Sequence, residues 1–174
     1  MFRTPITVSF VLLLLLQVAF ASTPALAETL TGTVVRIADG DTMTLLDRDH
    51  RQHRIRLAGI DAPERRQAFY EVSKQNLAKL AFGRVASVEW RKHDRYSRIV
   101  GNVRVGGEDL GLLQVRAGLA WWYRDYKREQ SPIDQKLYEA AELGARQQRL
   151  GLWRDAVPVE PKLWRHPRIS RLQN

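Results

Sequence analysis

The chain has 174 residues, with 28 Lys and Arg against 19 Asp and Glu, and no cysteine. That length excludes a large multidomain assembly, and the missing thiols exclude disulfides, thiolate zinc sites, iron–sulfur clusters and a cysteine nucleophile. A formal charge of +9 points to a polyanionic partner, whether nucleic acid, anionic lipid or acidic polysaccharide, without choosing among them.

Residues 1–27 open with one basic residue, Arg3, run through the apolar stretch Phe10 to Leu16, and close on Ala25-Leu26-Ala27. A basic start, a short apolar core and a small-x-small end read as a secretory signal peptide. Gln17, Ser22, Thr23 and Pro24 dilute the apolar run below the roughly 20 residues that span a bilayer. An uncleaved membrane anchor is the alternative. The expected organisation is a signal peptide over 1–27, a folded domain over 28–155, and a basic Pro/Arg-rich tail over 156–174.

Residues 29–37 are rich in Thr and Val and predict a strand. Asp39-Gly40 is a turn signal, and 42–47 return as a second strand. Residues 52–58 alternate, with Arg54 and Arg56 on one face and Ile55 and Leu57 on the other. A helix follows over 67–82, with Phe69, Val72, Leu77 and Leu80 as its apolar stripe and Gly83 just past its end. Residues 85–91 and 98–105 predict two more strands, and 108–118 a short helix. Ser131-Pro132 with Asp134 starts a longer helix, whose expected inward stripe is Ile133, Leu137, Ala140, Ala141 and Gly144. After Trp153 a loosely packed tail is expected. The class is α+β: a five-stranded antiparallel barrel of the oligonucleotide/oligosaccharide-binding (OB) type, with about three helices around it. Such a fold binds polymers but does not by itself imply catalysis.

Three segments bring carboxylates and arginines together between them: Asp39-Gly40-Asp41-Thr42, the run Arg56 to Glu64 (RLAGIDAPE), and Asp94 to Arg98 (DRYSR). Cleavage of a phosphodiester needs this mixture. A hard cation takes oxygen ligands, an attacking water needs a base, and charge growing on phosphoryl oxygens needs fixed cationic donors. Arginine supplies two parallel hydrogen bonds where lysine supplies a point charge. Each segment alone has a plainer reading, as a turn, a helix start or a solvated strand face.

The order DGDT, RLAGIDAPE, DRYSR, GLAWWY and GLW resembles the thermonuclease (staphylococcal nuclease-like) family from about Thr31 to Trp153. The resemblance implies an exported, calcium-dependent phosphodiesterase on a five-stranded barrel, cutting DNA and RNA and leaving 3′-phosphate ends. By that resemblance Asp41 and Asp61 hold one calcium ion with the backbone carbonyl of Ala62. Glu64 is the general base, and Arg56 and Arg98 grip the scissile phosphate. Arg95 and Tyr96 contact the nucleotide, and Asp39 stands behind the metal ligands. Two positions depart from the family. Ser97 stands where glycine is usual, and the loop after Glu64 is short.

The four histidines, His50, His53, His93 and His166, show no zinc spacing and read as surface residues, with His93 the nearest to substrate. Trp121, Trp122, Tyr123 and Tyr126 suit either base stacking or the core. Arg165, Arg168 and Arg171 read as a solvated end that could hold phosphates. The competing functions are a catalytically idle nucleic-acid-binding module on the same barrel and a charge-driven binder of lipid or polysaccharide. Retention of Asp41, Asp61, Glu64, Arg56 and Arg98 together favours the enzyme. The expected state is a monomer with no stable membrane partner after signal cleavage, in the periplasm or secreted.

Overall fold

The computed structural model describes residues 28–166. The signal peptide expected over 1–27, and Arg168 and Arg171 of the expected tail, lie outside them. The elements in chain order are β1 (Glu28–Ile37), β2 (Thr42–Asp47), β3 (Gln52–Leu57), β4 (Ile60–Asp61) and α1 (Tyr70–Ala81). Then come β5 (Val85–His93), β6 (Ile99–Val105), β7 (Glu108–Asp109), α2 (Leu110–Arg116), β8 (Trp121–Trp122), α3 (Pro132–Gln147) and α4 (Pro161–Arg165). Single 3₁₀ turns cover Arg124–Glu129 and Gly151–Arg154.

β1, β2, β3, β5 and β6 form the expected barrel. Their order is β3-β2-β1-β5-β6, and β3 pairs with β6 to close it. The closing pair is parallel, with Ile55 opposite Ile99 and Leu57 opposite Gly101, so the barrel is mixed rather than wholly antiparallel. Closure leaves neither strand with an open edge. Alternation does the rest: Val34, Met43, Leu45, Ile55, Leu57, Val88 and Val103 point inward and are buried.

The helices refine the expectations. α1 starts at Tyr70 rather than 67, because Arg66 and Phe69 take positive φ angles of 69° and 65°, which no helix residue adopts. Its buried face is Ser73, Leu77 and Ala81, while Val72 is half exposed. Ser73 belongs inside because its hydroxyl donates to the Leu119 carbonyl at 2.7 Å. α2 is capped by Asp109, whose carboxylate accepts from Leu112 N. α3 begins as predicted, with Ser131 accepting from Asp134 N and Pro132 in the first turn.

The inward stripe of α3 is not the one expected. Ile133 and Leu137 are exposed, and the buried residues are Tyr138, Glu142 and Ala145. Glu142 decides this rotation. Its carboxylate is buried, accepts from Trp122 N at 3.1 Å, and pairs with Arg124 at 2.8 Å and Arg146 at 3.4 Å. Tyr138 donates to Asp109 at 2.9 Å and ties α3 to the cap of α2. Removing the buried member of an ion-pair network leaves unpaired polar groups behind. Glu142→Ala should therefore lower stability by about 3 kcal/mol in urea unfolding, and Arg124→Ala, whose side chain is half exposed, by much less.

Candidate active site

The Asp39–Asp41 turn leads into β2 and is pressed between α1 and the loop after β4. A Cβ on Gly40 would lie 1.9 Å from Ser73 Oγ and 2.8 Å from the Ala62 Cβ, so only glycine fits there. Gln114, wholly buried on α2, donates to the Gly40 carbonyl at 2.7 Å and to the Ser73 carbonyl at 3.0 Å. One amide side chain thus fixes the turn against two helices.

Asp41 is buried and points at the next segment. Its Oδ2 accepts from Ala62 N at 2.9 Å and its Oδ1 from Thr42 Oγ1 at 3.0 Å. Asp61 lies on β4, a two-residue strand whose partner is β8, with Asp61 opposite Trp121. Arg56, near the end of β3, lies between the two acids. It forms an ion pair with Asp41 through Nη1 and donates through Nη2 to Asp61 Oδ1 at 3.1 Å and to the Ile60 carbonyl at 3.2 Å.

Arg98 reaches the same face from the residue just ahead of β6. It donates through Nη1 to Thr42 Oγ1 at 3.2 Å and through Nε to Asp94 Oδ2 at 2.7 Å. The Asp94–Arg98 loop is wound around the Asp94 carboxylate, which accepts from Tyr96 N and Arg98 N at 2.9 and 3.0 Å. Burial would raise the Asp94 pKa, but these bonds outweigh it and hold it below the ordinary value. The loop closes through Ser97, whose φ is 59°.

The charges are out of balance. Burial, with the neighbouring Asp41 charge added, pushes Asp39 up to about 7. Burial would also raise Asp41, but Arg56 and the Ala62 amide hold it below the ordinary value. Asp61 is raised, chiefly by burial, against the pull of Arg165 and Arg56. Buried acids in excess of their cations suit a hard divalent ion. Among the described residues no three His, Cys, Asp or Glu side chains converge on one point. Asp41 and Asp61 are the side chains that could hold such an ion, with backbone oxygen and water completing it, and their chemistry fits calcium or magnesium.

These residues line an open groove of about 650 Å³. Asp39, Asp41, Arg56, Ala62, Glu64 and Arg98 form its floor and one end, and Arg95, Tyr96 and His93 its rim. All the predicted site residues are thus brought to one groove, apart from Asp61, which meets them through Arg56. The opposite rim carries Tyr123 and Tyr126, stacked edge to face at 4.9 Å. Trp121 and Trp122 are core residues. Sequence reasoning missed three contributors. Gln114 and Gln67 gave no local signal. Arg165 did, because Pro161 ahead of Leu163 and Trp164 marks a helix start. The expected solvated tail is instead α4, and Arg165 donates to Asp61 and Glu64.

A small mixed barrel carrying two arginines paired with carboxylates, buried aspartates and a more exposed glutamate suits phosphodiester hydrolysis. Comparison with known proteins agrees. Residues 54–155 match the family model described as staphylococcal nuclease homologue. An Escherichia coli protein named as an uncharacterized endonuclease is 40% identical over 146 residues, covering 83% of this chain and 91% of its own. A protein of Shigella flexneri named micrococcal nuclease is 42% identical over 157 residues, covering 85% and 87%. Protein ParB of Escherichia coli is 41% identical over 165 residues, covering 90% of each. The chain belongs to the staphylococcal nuclease family and is a nuclease that hydrolyses phosphodiester bonds.

The left-handed backbone at Ser97 costs energy that glycine would not incur. Ser97→Gly should raise stability by about 0.5–1 kcal/mol in urea or thermal unfolding, without displacing Arg98.

Proposed function

We propose that this nuclease is calcium-dependent, cleaves both DNA and RNA, leaves 3′-phosphate ends, and acts as a monomer exported by the signal peptide at 1–27 to the periplasm or beyond the cell. The observation that carries the reading is the convergence of Asp41, Glu64, Arg56 and Arg98 on one groove, with Asp61 joined to them through Arg56. The residue pattern of Met1–Ala27 supports export, and the oxygen-only donor set supports calcium.

A calcium ion held by Asp41, Asp61 and the Ala62 carbonyl would supply a Lewis acid that polarises a phosphoryl oxygen. Everything else falls to side chains. Glu64 takes a proton from the attacking water, which adds to phosphorus as the P–O5′ bond breaks. The 5′ oxygen leaves as an alkoxide, which takes a proton from solvent to become a hydroxyl, and the phosphate stays on the 3′ side. Arg56 and Arg98 donate to the non-bridging oxygens as their charge grows. Both are held by carboxylates on their inner side, so they need little reorganisation in the transition state. Arg95 and Tyr96, exposed on the rim, bind the nucleotide. Asp39 accepts from Asp41 N at 3.0 Å and orients that ligand.

Plasmid nicking and single-stranded RNA cleavage by the 28–174 protein test the reading. Cleavage should require calcium, stop with excess chelator, and collapse in Glu64→Gln. Arg98→Ala should lose about 100- to 1,000-fold in kcat while remaining folded. Near-normal turnover in that variant would refute the assignment. Salt-sensitive binding without cleavage in any divalent metal would instead make the protein an idle binding module.

A further inference from the structure

After the 3₁₀ turn at Gly151–Arg154 the chain comes back across the site. Val159 O accepts from the Gln67 side chain at 2.6 Å, and the same side chain accepts from Glu64 N at 2.9 Å. Pro161 is buried and opens α4, and Lys162 pairs with Glu160 at 3.2 Å and Asp125 at 3.4 Å. These contacts deliver Arg165, the last residue of α4, to the carboxylates. Its Nη1 and Nη2 fork onto Asp61 Oδ1 and Oδ2 at 3.0 and 2.9 Å, and Nη1 also meets Glu64 Oε1 at 2.6 Å. Both oxygens of Asp61 and one of Glu64 are therefore engaged by one guanidinium.

A two-bond arginine–carboxylate fork is among the stronger polar contacts a protein makes. A divalent cation bound through Asp61, and a proton taken by Glu64, require the same lone pairs. Arg165 is also placed so that it can yield. Its side chain is one-third exposed, and α4 stands outside the barrel, held by a few polar contacts and one proline. A tethered group acts at a high effective concentration even when its intrinsic affinity is modest.

We infer that Arg165 is an internal competitor of the divalent cation: it occupies Asp61 and Glu64 in the cation-free enzyme, sets the affinity of the site, and is displaced when the cation binds. This rests on the cation reading given above. Removing the guanidinium leaves Asp41, Asp61 and Glu64 with Arg56 as their one close cation among the described residues, which favours an incoming divalent ion.

The test uses the 28–174 protein without nucleic acid. Calcium binding is measured by calorimetry on wild type, Arg165→Ala and Arg165→Lys. Arg165→Ala should bind calcium about tenfold more tightly, a difference of about 1.4 kcal/mol, and Arg165→Lys, which cannot fork, should fall between. In the wild type, calcium should speed amide hydrogen exchange across 159–166, and chelator should reverse it. Equal or weaker binding by Arg165→Ala, or unchanged exchange, would overturn the inference and leave the calcium reading standing. Absence of calcium binding in all three proteins would overturn both.

Discussion

The placement of Arg56 between Asp41 and Asp61 is the constraint on which the rest of this structure depends. Three charged groups from three separate segments are withdrawn from water, with Arg56 in contact with both acids. Burial of that kind is costly unless every member is paired. The barrel tolerates it because the surrounding framework is stiff. Gln114 pins the Asp39–Asp41 turn, Thr42 holds both Asp41 and Arg98, and β4 is clamped to β8. The energy that the core supplies elsewhere holds an arrangement that would otherwise relax.

The same framework divides the labour within the groove. Arg56 comes from β3 and Arg98 from the residue just ahead of β6, and each is fixed by a carboxylate, so their donors are aimed in advance. Glu64 comes from a short turn closed by Gln67 N to Glu64 O at 2.8 Å. Its side chain is more exposed than those of Asp41 and Asp61. Rigid cationic donors beside a more accessible carboxylate suit the proposed reaction, in which charge stabilisation needs fixed geometry and proton transfer needs contact with water.

Much of this was legible in the sequence because it is local. Alternation named the five barrel strands, Asp39-Gly40 named a turn, and Ser131-Pro132 named a helix start. The acids and arginines clustered in three short segments that a meander could bring together. What escaped was set by partners far along the chain. The parallel β3–β6 closure has no local signal. On α3, two stripes at helical spacing compete, and the apolar one with Ile133 and Leu137 lost to the one carrying Glu142. The reason is that Trp122 N and two arginines satisfy a carboxylate there. Arg165 meets Asp61 across 104 residues, and an arginine near a Pro-rich end looks like any solvated arginine until its partner is known.

The pairing of β4 with β8 also sets when the enzyme comes into being. Asp61 sits on a strand of two residues, too short to hold itself, and its partner Trp121 follows two helices and three strands further along the chain. A ribosome-bound or partly threaded chain that ends before Trp121 can build much of the barrel, yet its second acid has nothing to fix it beside the first. The setting of Asp61 is thus complete only when the chain as far as Trp122 is available to pair with it. A host that makes this enzyme carries it through synthesis as an unassembled tool rather than an armed one.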